Sequence, residues 1–340
     1  FNMSELNQIA LKIVSNGKGI LAADESTPSM DKKFNAIGVE PNPENRLKYR
    51  EILFSSNGMK DYIGGVILFE ETLNQISKSG LPIPQLIENQ GTIIGIKVDT
   101  GLKKNPESPD ENITSGFDGL EDRLNKSYEI GARFTKWRAL IKISDKFPTE
   151  VAIKSNAIDL AKYASIVQNF NMVPIVEPEV LMEGNHDINK CYEITARLLS
   201  ECFNQLKLQS VDLSGILLKP NMVVPGIDCQ NQSSTNEIAK MTFNCLKDNV
   251  PSEVPGIAFL SGGQSEIEST RNLNEINKIN DTNFIFTYSY GRALQQSALN
   301  YWGKNPDDIN NIHKIFNHRA KMNSLSTSGK WAEDIDRINI

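Results

Sequence analysis

Eight short apolar runs recur along this chain, at residues 19–24, 63–70, 93–99, 134–138, 172–179, 215–221, 257–262 and 285–291. Between them stand longer segments whose apolar residues repeat at helical spacing, among them 44–56, 120–131, 151–169, 188–206, 235–248 and 266–279. Such alternation predicts a parallel sheet, because parallel neighbours are joined only by a long crossover, usually a helix. The runs follow one another at roughly 38 residues, enough for one strand, one helix and two loops per step. Eight such runs predict an α/β fold: a single closed (β/α)8 barrel with its core at about 18–303. An extra N-terminal helix at 4–15 and a C-terminal helix and tail at 304–340 are decorations, and the whole of 1–340 is expected to be one domain.

Local signals agree. In PNPENR, Asn42 is a helix cap and Pro43 a first helical residue, where a missing N–H costs nothing. The stretch 103–115, KKNPESPDENITS, reads as a surface loop on its Pro, Asn and Asp content.

Composition narrows the function. The net charge of −6 and the absence of a basic stripe exclude broad nucleic-acid binding, although a cleft in an acidic protein still holds positive potential for a phosphorylated substrate. No run approaches the ~18 apolar residues of a membrane span and no secretory leader opens the chain, so a soluble, cytoplasmic protein is expected. Of the three histidines, His313 and His318 are five apart, off the three- or four-residue spacing that shares a helix face, which argues against a metal. Cys191, Cys202, Cys229 and Cys245 form no CxxC pair and read as packed thiols.

In a barrel of this kind the chemistry stands where the strands end. The runs finish on Asp24, Glu70, Lys97, Lys136 with Arg138, Glu177 with Glu179, Lys219, Ser261 and Ser289. Any one charged strand end is readily a satisfied ion pair. A ring of them on one rim is hard to explain as packing, because each unpaired buried charge costs several kcal/mol. The stretch GILLKPNM (215–222) is the sharpest case. Pro220 holds Lys219 in extended geometry at a strand end, and Pro178 does the same for Glu177. An ordinary lysine is a free amine in only about one molecule in 2,500 at pH 7, so a nucleophilic one needs cationic neighbours and an apolar wall to lower its pKa. Such an amine forms a Schiff base with a ketone or aldehyde. FLSGGQSEIE, with Ser261, Gly262 and Gly263, and TYSYGRAL, with Ser289, Gly291 and Arg292, lie after strands seven and eight, where phosphate sits in this architecture. On these grounds alone Lys97, Lys136 and Lys219 all remain candidates for the nucleophile.

The ordered stretches GKGILAADEST (17–27), GGVILFEETL (64–73), GIKVDTGL (95–102), GARFTKWR (131–138), VPIVEPE (173–179), LLKPNM (217–222), FLSGGQSE (259–266) and YSYGRALQQSAL (288–299) closely resemble class I fructose-1,6-bisphosphate aldolase over nearly the whole chain. The resemblance implies reversible, metal-independent cleavage of fructose 1,6-bisphosphate to dihydroxyacetone phosphate and glyceraldehyde 3-phosphate, with no cofactor. It implies Lys219 as the Schiff-base lysine, Glu177 as the acid/base of carbinolamine dehydration, and Asp24 as the base at the C4 hydroxyl. Lys136 and Glu179 organise the charges around them. Ser261, Gly262, Gly263, Ser289, Gly291 and Arg292 fall to the C1 phosphate, and Ser26, Ser29, Lys33, Lys97 and Arg138 to the rest of the substrate. The family also implies a homotetramer and a secondary scaffold role binding actin or the cytoplasmic tails of adhesins. Two departures stand out: Lys32-Lys33 replaces a lysine-arginine pair, and the chain ends on WAEDIDRINI where the family carries a terminal tyrosine. Starting on Phe1, the natural chain is expected to extend at both ends. Competing readings are a transaldolase or pyruvate-type aldolase, which needs no second phosphate site, and a pyridoxal-phosphate barrel.

Overall fold

The computed structural model describes residues 4–340. All eight apolar runs form parallel strands, and they close into a barrel: β1 (Gly19–Ala23), β2 (Ile63–Leu68), β3 (Ile93–Lys97), β6 (Phe134–Ile141), β7 (Val173–Val180), β8 (Leu217–Leu218), β9 (Ile257–Phe259) and β10 (Phe286–Tyr290), with β10 returning to β1. Before the first strand lies α1 (Glu5–Val14), capped by the Ser4 hydroxyl, which accepts from Asn7 N–H at 3.1 Å. The crossovers and turns carry α2 (Thr27–Ala36), α3 (Pro43–Phe54), α4 (Asn57–Tyr62), α5 (Glu70–Leu73), α6 (Ile83–Asn89), α7 (Leu120–Ile130), α8 (Glu150–Asn169), α9 (Ile188–Leu208), α10 (Thr235–Asn249) and α11 (Glu266–Lys278). Two further helices, α12 (Arg292–Lys304) and α13 (Ile309–Ser326), follow the last strand. Asn42 caps α3 as its sequence predicts, its side chain accepting from Asn45 N–H at 2.7 Å.

Side chains alternate across each strand, so each strand has an inner and an outer set. The outer set, such as Leu21, Val66, Ile94, Trp137, Val176, Leu218 and Phe259, packs under the helices in one large apolar core. The inner set begins with a separate apolar floor of Ile20, Ile67, Phe134, Ile175, Leu217 and Ala258, sealed from below by Ala10, Ile13 and Val14 of α1. The Phe134 ring occupies the space that side chains at Gly65 and Gly95 would fill; a Cβ on either would come within 2.9 and 2.3 Å of it. Large and small residues thus complement one another inside the barrel.

The stretch 103–115 is not a loop. It forms a two-stranded antiparallel hairpin of β4 (Gly101–Asn105) and β5 (Ser108–Ser115). Its polar residues, which read as loop composition, are engaged by α8: the Glu111 carboxylate accepts from the Thr149 hydroxyl at 2.5 Å, Asn105 Nδ2 donates to Ser155 Oγ at 2.9 Å, and Asn156 Nδ2 donates to the Asn112 carbonyl at 3.0 Å. The sixth apolar run, 215–221, also shrinks. Only Leu217 and Leu218 pair as strand, because Gly215 closes a 3-10 turn and Pro220 has no N–H to offer. Cys191, Cys202 and Cys245 are buried as expected, whereas Cys229 is half-exposed in the loop after β8.

Gly64 is where α1 touches the barrel backbone: a Cβ there would lie 1.9 Å from the Ile13 carbonyl oxygen. Backbone cannot yield as a flexible side chain does. Gly64→Ala is therefore expected to lower stability by about 1–3 kcal/mol, read as a lower urea midpoint with an unchanged slope.

Candidate active site

The inner parity of the strands decides which charges meet. Above the apolar floor, the next inward positions are Asp24 after Ala22, Lys97 after Gly95, Lys136 after Phe134, Glu177 after Ile175 and Lys219 after Leu217, and all five line one cleft at the C-terminal mouth of the barrel. Two residues further on, Asp99, Arg138 and Glu179 line its wall. The cleft has a volume of about 390 Å³. Glu70 is the exception to the expected ring of strand-end charges. It lies one position off the inward parity of Ile67, heads α5, and is exposed away from the cleft.

Lys219 is held on both sides. Its N–H donates to the Val176 carbonyl of β7 at 2.8 Å, and the Pro220 carbonyl accepts from Leu260 N–H at 3.1 Å. Asn221 adds a third tie, its side-chain oxygen accepting from Val180 N–H at 2.9 Å. The ammonium nitrogen, 6% exposed as a side chain, lies 3.7 Å from Glu177 Oε1. The other oxygen of Glu177 is 3.6 Å from Lys136 Nζ, which in turn lies 2.7 Å from Asp24 Oδ2. Four buried side chains thus alternate in charge: Asp24, Lys136, Glu177, Lys219.

The two lysines respond oppositely to this setting. Burial lowers the pKa of Lys219, the Lys136 charge lowers it further, and the carboxylates of Glu177, Asp24 and Glu179 only partly offset this, so the amine sits below its ordinary value. Burial also disfavours the charge on Lys136, but Asp24, Glu177 and Asp99 overcome it and hold Lys136 firmly protonated. Burial raises Asp24, and Lys136 and Lys219 more than reverse that, keeping the carboxylate ionised far below its usual range. Glu179 is raised, chiefly by burial, against the pull of Arg138, whose Nε donates to it at 2.6 Å. The lowering of Lys219 thus has desolvation as its largest cause and Lys136 as its cationic neighbour, while Arg138 is engaged by Glu179.

The flanks of the cleft carry the expected phosphate-handling residues. Ser261, Gly262, Ser289, Gly291 and Arg292 line it, as do Ser26, Ser29, Lys33 and Lys97. Gly262 has φ +57°, a left-handed turn that suits glycine. Arg292 Nη2 donates to the carbonyls of Gly262 at 2.9 Å and Gln264 at 2.5 Å, which ties the start of α12 to the turn after β9. Gly263 departs from expectation. It is exposed but does not line the cleft, and its N–H donates to Met182 Sδ at 3.2 Å. The Ser26 hydroxyl donates to Ser29 Oγ at 3.1 Å, and Lys97 Nζ stands 3.6 Å from Asp99 Oδ1.

Several residues of the cleft wall carry no mark as site residues in the sequence. Glu25 accepts from Lys33 Nζ at 3.4 Å, Arg50 Nη2 at 3.3 Å and Gln295 Nε2 at 3.2 Å, joining α2, α3 and α12 behind the cleft. Asp99 orders β3 against β6 by accepting from Arg138 N–H at 3.3 Å. Asp99 and Glu25 are each visible beside a chosen strand-end residue; Arg50 gives no sequence signal, since it comes from a helix far along the chain.

A family model for fructose-bisphosphate aldolase class-I matches residues 5–339. The chain belongs to the class-I fructose-bisphosphate aldolase family. Among relatives, fructose-bisphosphate aldolase 1 of Toxoplasma gondii is 49% identical over 96% of this chain and 91% of its own length. The cytosolic fructose-bisphosphate aldolase 4 of Arabidopsis thaliana is 48% identical over 97% of this chain and 84% of its own. A solved fructose-bisphosphate aldolase from Plasmodium falciparum, crystallised with TRAP and a small-molecule inhibitor, superposes with a TM-score of 0.94 at 45% identity, covering 96% of this chain and 95% of that one. The closed barrel is therefore the aldolase fold, and a sugar phosphate is the substrate class of the family to which this cleft belongs. Among the described residues, no helix is long and apolar enough to cross a membrane.

The depressed Asp24 carboxyl makes a signed prediction about stability. Its folded-state pKa lies below its unfolded value near 3.8, so its contribution is fully present above that value and is lost as pH falls toward the folded one. Denaturant titrations between about pH 5 and pH 2 are expected to show a flatter acid limb for Asp24→Asn than for the native chain.

Proposed function

We propose that this chain cleaves fructose 1,6-bisphosphate reversibly to dihydroxyacetone phosphate and glyceraldehyde 3-phosphate through an imine on Lys219. The observation that carries the reading is a buried amine of lowered pKa at a strand end, 3.7 Å from one carboxylate and in the same cleft as a second that stays ionised.

The free amine of Lys219 attacks the C2 ketone of the open-chain sugar and forms a carbinolamine. Glu177, in reach of the Lys219 nitrogen, delivers the proton with which the hydroxyl leaves as water, and an iminium results. Asp24 takes the proton of the C4 hydroxyl. The C3–C4 bond then breaks, the aldehyde leaves, and the electron pair passes into the iminium as an enamine. Protonation of the enamine at C3 and hydrolysis of the imine return dihydroxyacetone phosphate and the free lysine. Lys136 acts as a fixed positive charge that keeps Asp24 ionised and Lys219 low in pKa, while Glu179 with Arg138 braces the far wall. Ser261, Gly262, Ser289, Gly291 and Arg292 receive the C1 phosphate; Ser26, Ser29, Lys33 and Lys97 receive the C6 phosphate. The two flanking groups favour a bisphosphate over the single phosphate of a transaldolase-like substrate.

Extension of the barrel and tail as one domain over 1–340, assembly as a homotetramer and residence in the cytosol, as for the Arabidopsis relative, belong to the same proposal. Docking of actin or an adhesin tail is a secondary part of it, supported by the presence of TRAP with the Plasmodium falciparum aldolase.

Two measurements test the chemistry. Borohydride reduction in the presence of dihydroxyacetone phosphate is expected to leave a stable adduct on the peptide containing Lys219, and Lys219→Ala to abolish both adduct and turnover in an assay coupled to NADH oxidation; an adduct on Lys136 or Lys97 sinks the assignment. The rate of trapping should rise with pH and reach half its maximum below the ordinary lysine value, because only the free amine attacks. In Lys136→Met that midpoint is expected to move up, since a charge that lowers the Lys219 pKa is gone.

A further inference from the structure

A row of six charged side chains, alternating in sign, ends in the cleft. Asp31 of α2 pairs with Arg46 of α3 at 2.9 Å, and Arg46 grips Glu71 of α5 through two bonds of 2.8 and 2.9 Å. Glu71 stands 3.9 Å from Arg50 of α3, Arg50 Nη2 lies 3.3 Å from Glu25 Oε2, and the other oxygen of Glu25 lies 3.4 Å from Lys33 Nζ of α2. Of the six, Glu25 and Lys33 line the cleft. The row is fixed at its inner end. The Arg50 side chain is 1% exposed; it donates besides to Thr72 Oγ1 and to the Glu25 carbonyl, each at 2.9 Å, and its Nε has no hydrogen-bond partner among the described residues. Taking the Glu25 carboxylate from Arg50 would leave a buried cation short of its counter-charge, the costly way to break such a pair. The outer end is loose. Lys33 is 29% exposed, and an exposed pair of this kind is held weakly.

An anion that enters the cleft therefore draws Lys33 away from Glu25, while Glu25 stays with Arg50 and with Gln295, whose Nε2 donates to it at 3.2 Å. We propose that Glu25 determines how strongly this cleft selects a second phosphate: its carboxylate restrains Lys33, and binding of the C6 phosphate is an exchange in which the ammonium gives up one anionic partner for another. The proposal rests on the reading of Ser26, Ser29, Lys33 and Lys97 as the C6-phosphate subsite. Because only the difference between the two ion pairs is gained, the second phosphate adds little affinity over a sugar that carries the C1 phosphate alone. Lys97 repeats the pattern, 3.6 Å from Asp99 Oδ1 in the same cleft. Arg292 differs from both: it donates to the neutral carbonyls of Gly262 and Gln264, which leave its charge for the C1 phosphate.

Steady-state cleavage of fructose 1,6-bisphosphate and of fructose 1-phosphate, compared in the native chain, Glu25→Gln, Lys33→Met and the double variant, reads the exchange. Glu25→Gln keeps the backbone carbonyl that Arg50 uses and an amide oxygen for Arg50 and Gln295. It is expected to lower the ratio of the bisphosphate KM to the monophosphate KM about fivefold, and by less than about twofold when Lys33 is already methionine. A Glu25 that only braces α2 predicts the opposite sign, a raised bisphosphate KM. Should the glutamine variant not fold, Glu25→Asp, which draws the carboxylate back by one methylene and keeps a charge for Arg50, is expected to lower the ratio about twofold. A ratio that rises or stays level overturns the inference, as does an equal fall with and without Lys33, which would make Glu25 a plain repelling charge. Inorganic phosphate titrated calorimetrically, with Arg292→Met in every chain to weaken the C1 subsite, reads the exchange without turnover; its Kd is expected to fall about fivefold in Glu25→Gln. A native protein that cleaves neither sugar counts against the aldolase chemistry, and the phosphate titrations then judge Glu25 by themselves.

Discussion

Everything in the cleft depends on one arrangement: four ionisable side chains, buried together, whose charges alternate from Asp24 through Lys136 and Glu177 to Lys219. Removing any of these ions from water alone costs several kcal/mol, and the cost is offset only because each has an opposite neighbour within 4 Å. The alternation is uneven. Lys136 touches two carboxylates and is locked as a cation, whereas Lys219 has one close carboxylate and feels the Lys136 charge besides. Two chemically identical side chains in one cavity are thereby shifted in opposite directions, Lys136 up and Lys219 down.

That arrangement needs a rigid support, and the barrel supplies it through parity. Each charged residue stands two positions above an apolar inward residue, so Ile175 lies beneath Glu177, Leu217 beneath Lys219 and Phe134 beneath Lys136. The floor excludes water from below, with α1 as its plug, and the low polarity of the floor is what makes burial the leading influence on Lys219. Backbone ties on Lys219 and Asn221 fix that strand end, while Glu25 joins three helices behind the wall. The residues proposed to receive phosphate, by contrast, sit on loops and helix starts at the rim.

Much of this was legible in the residues, for identifiable reasons. The Lys219-Pro220 and Glu177-Pro178 pairs announce themselves because proline restricts its predecessor wherever it occurs. Strand number and order followed from spacing, since a parallel strand demands a crossover of fixed minimum length. Failures were equally specific. Glu70 reads as one of the ring of strand-end charges because a strand's end can be placed only to within a residue or two, and one residue reverses the side on which a chain emerges. The hairpin at Gly101–Ser115 was hidden because its polar residues are satisfied by α8, a contact that local composition does not encode. Arg50 was invisible for the same reason, as a buried guanidinium whose partners Thr72 and Glu25 lie far along the chain.

The sequence by itself determined the set of chemical groups and the order in which strand ends present them, because periodicity, proline and glycine act locally and need no partner. It also carried enough ordered motif to mark the aldolase family. That Lys136 is held as a cation while burial and a neighbouring charge lower Lys219 was decided only by the folded chain. That distinction comes from distances of 2.7 to 3.7 Å between residues separated by up to 195 positions and from the exclusion of water around them, and neither quantity exists until the barrel closes.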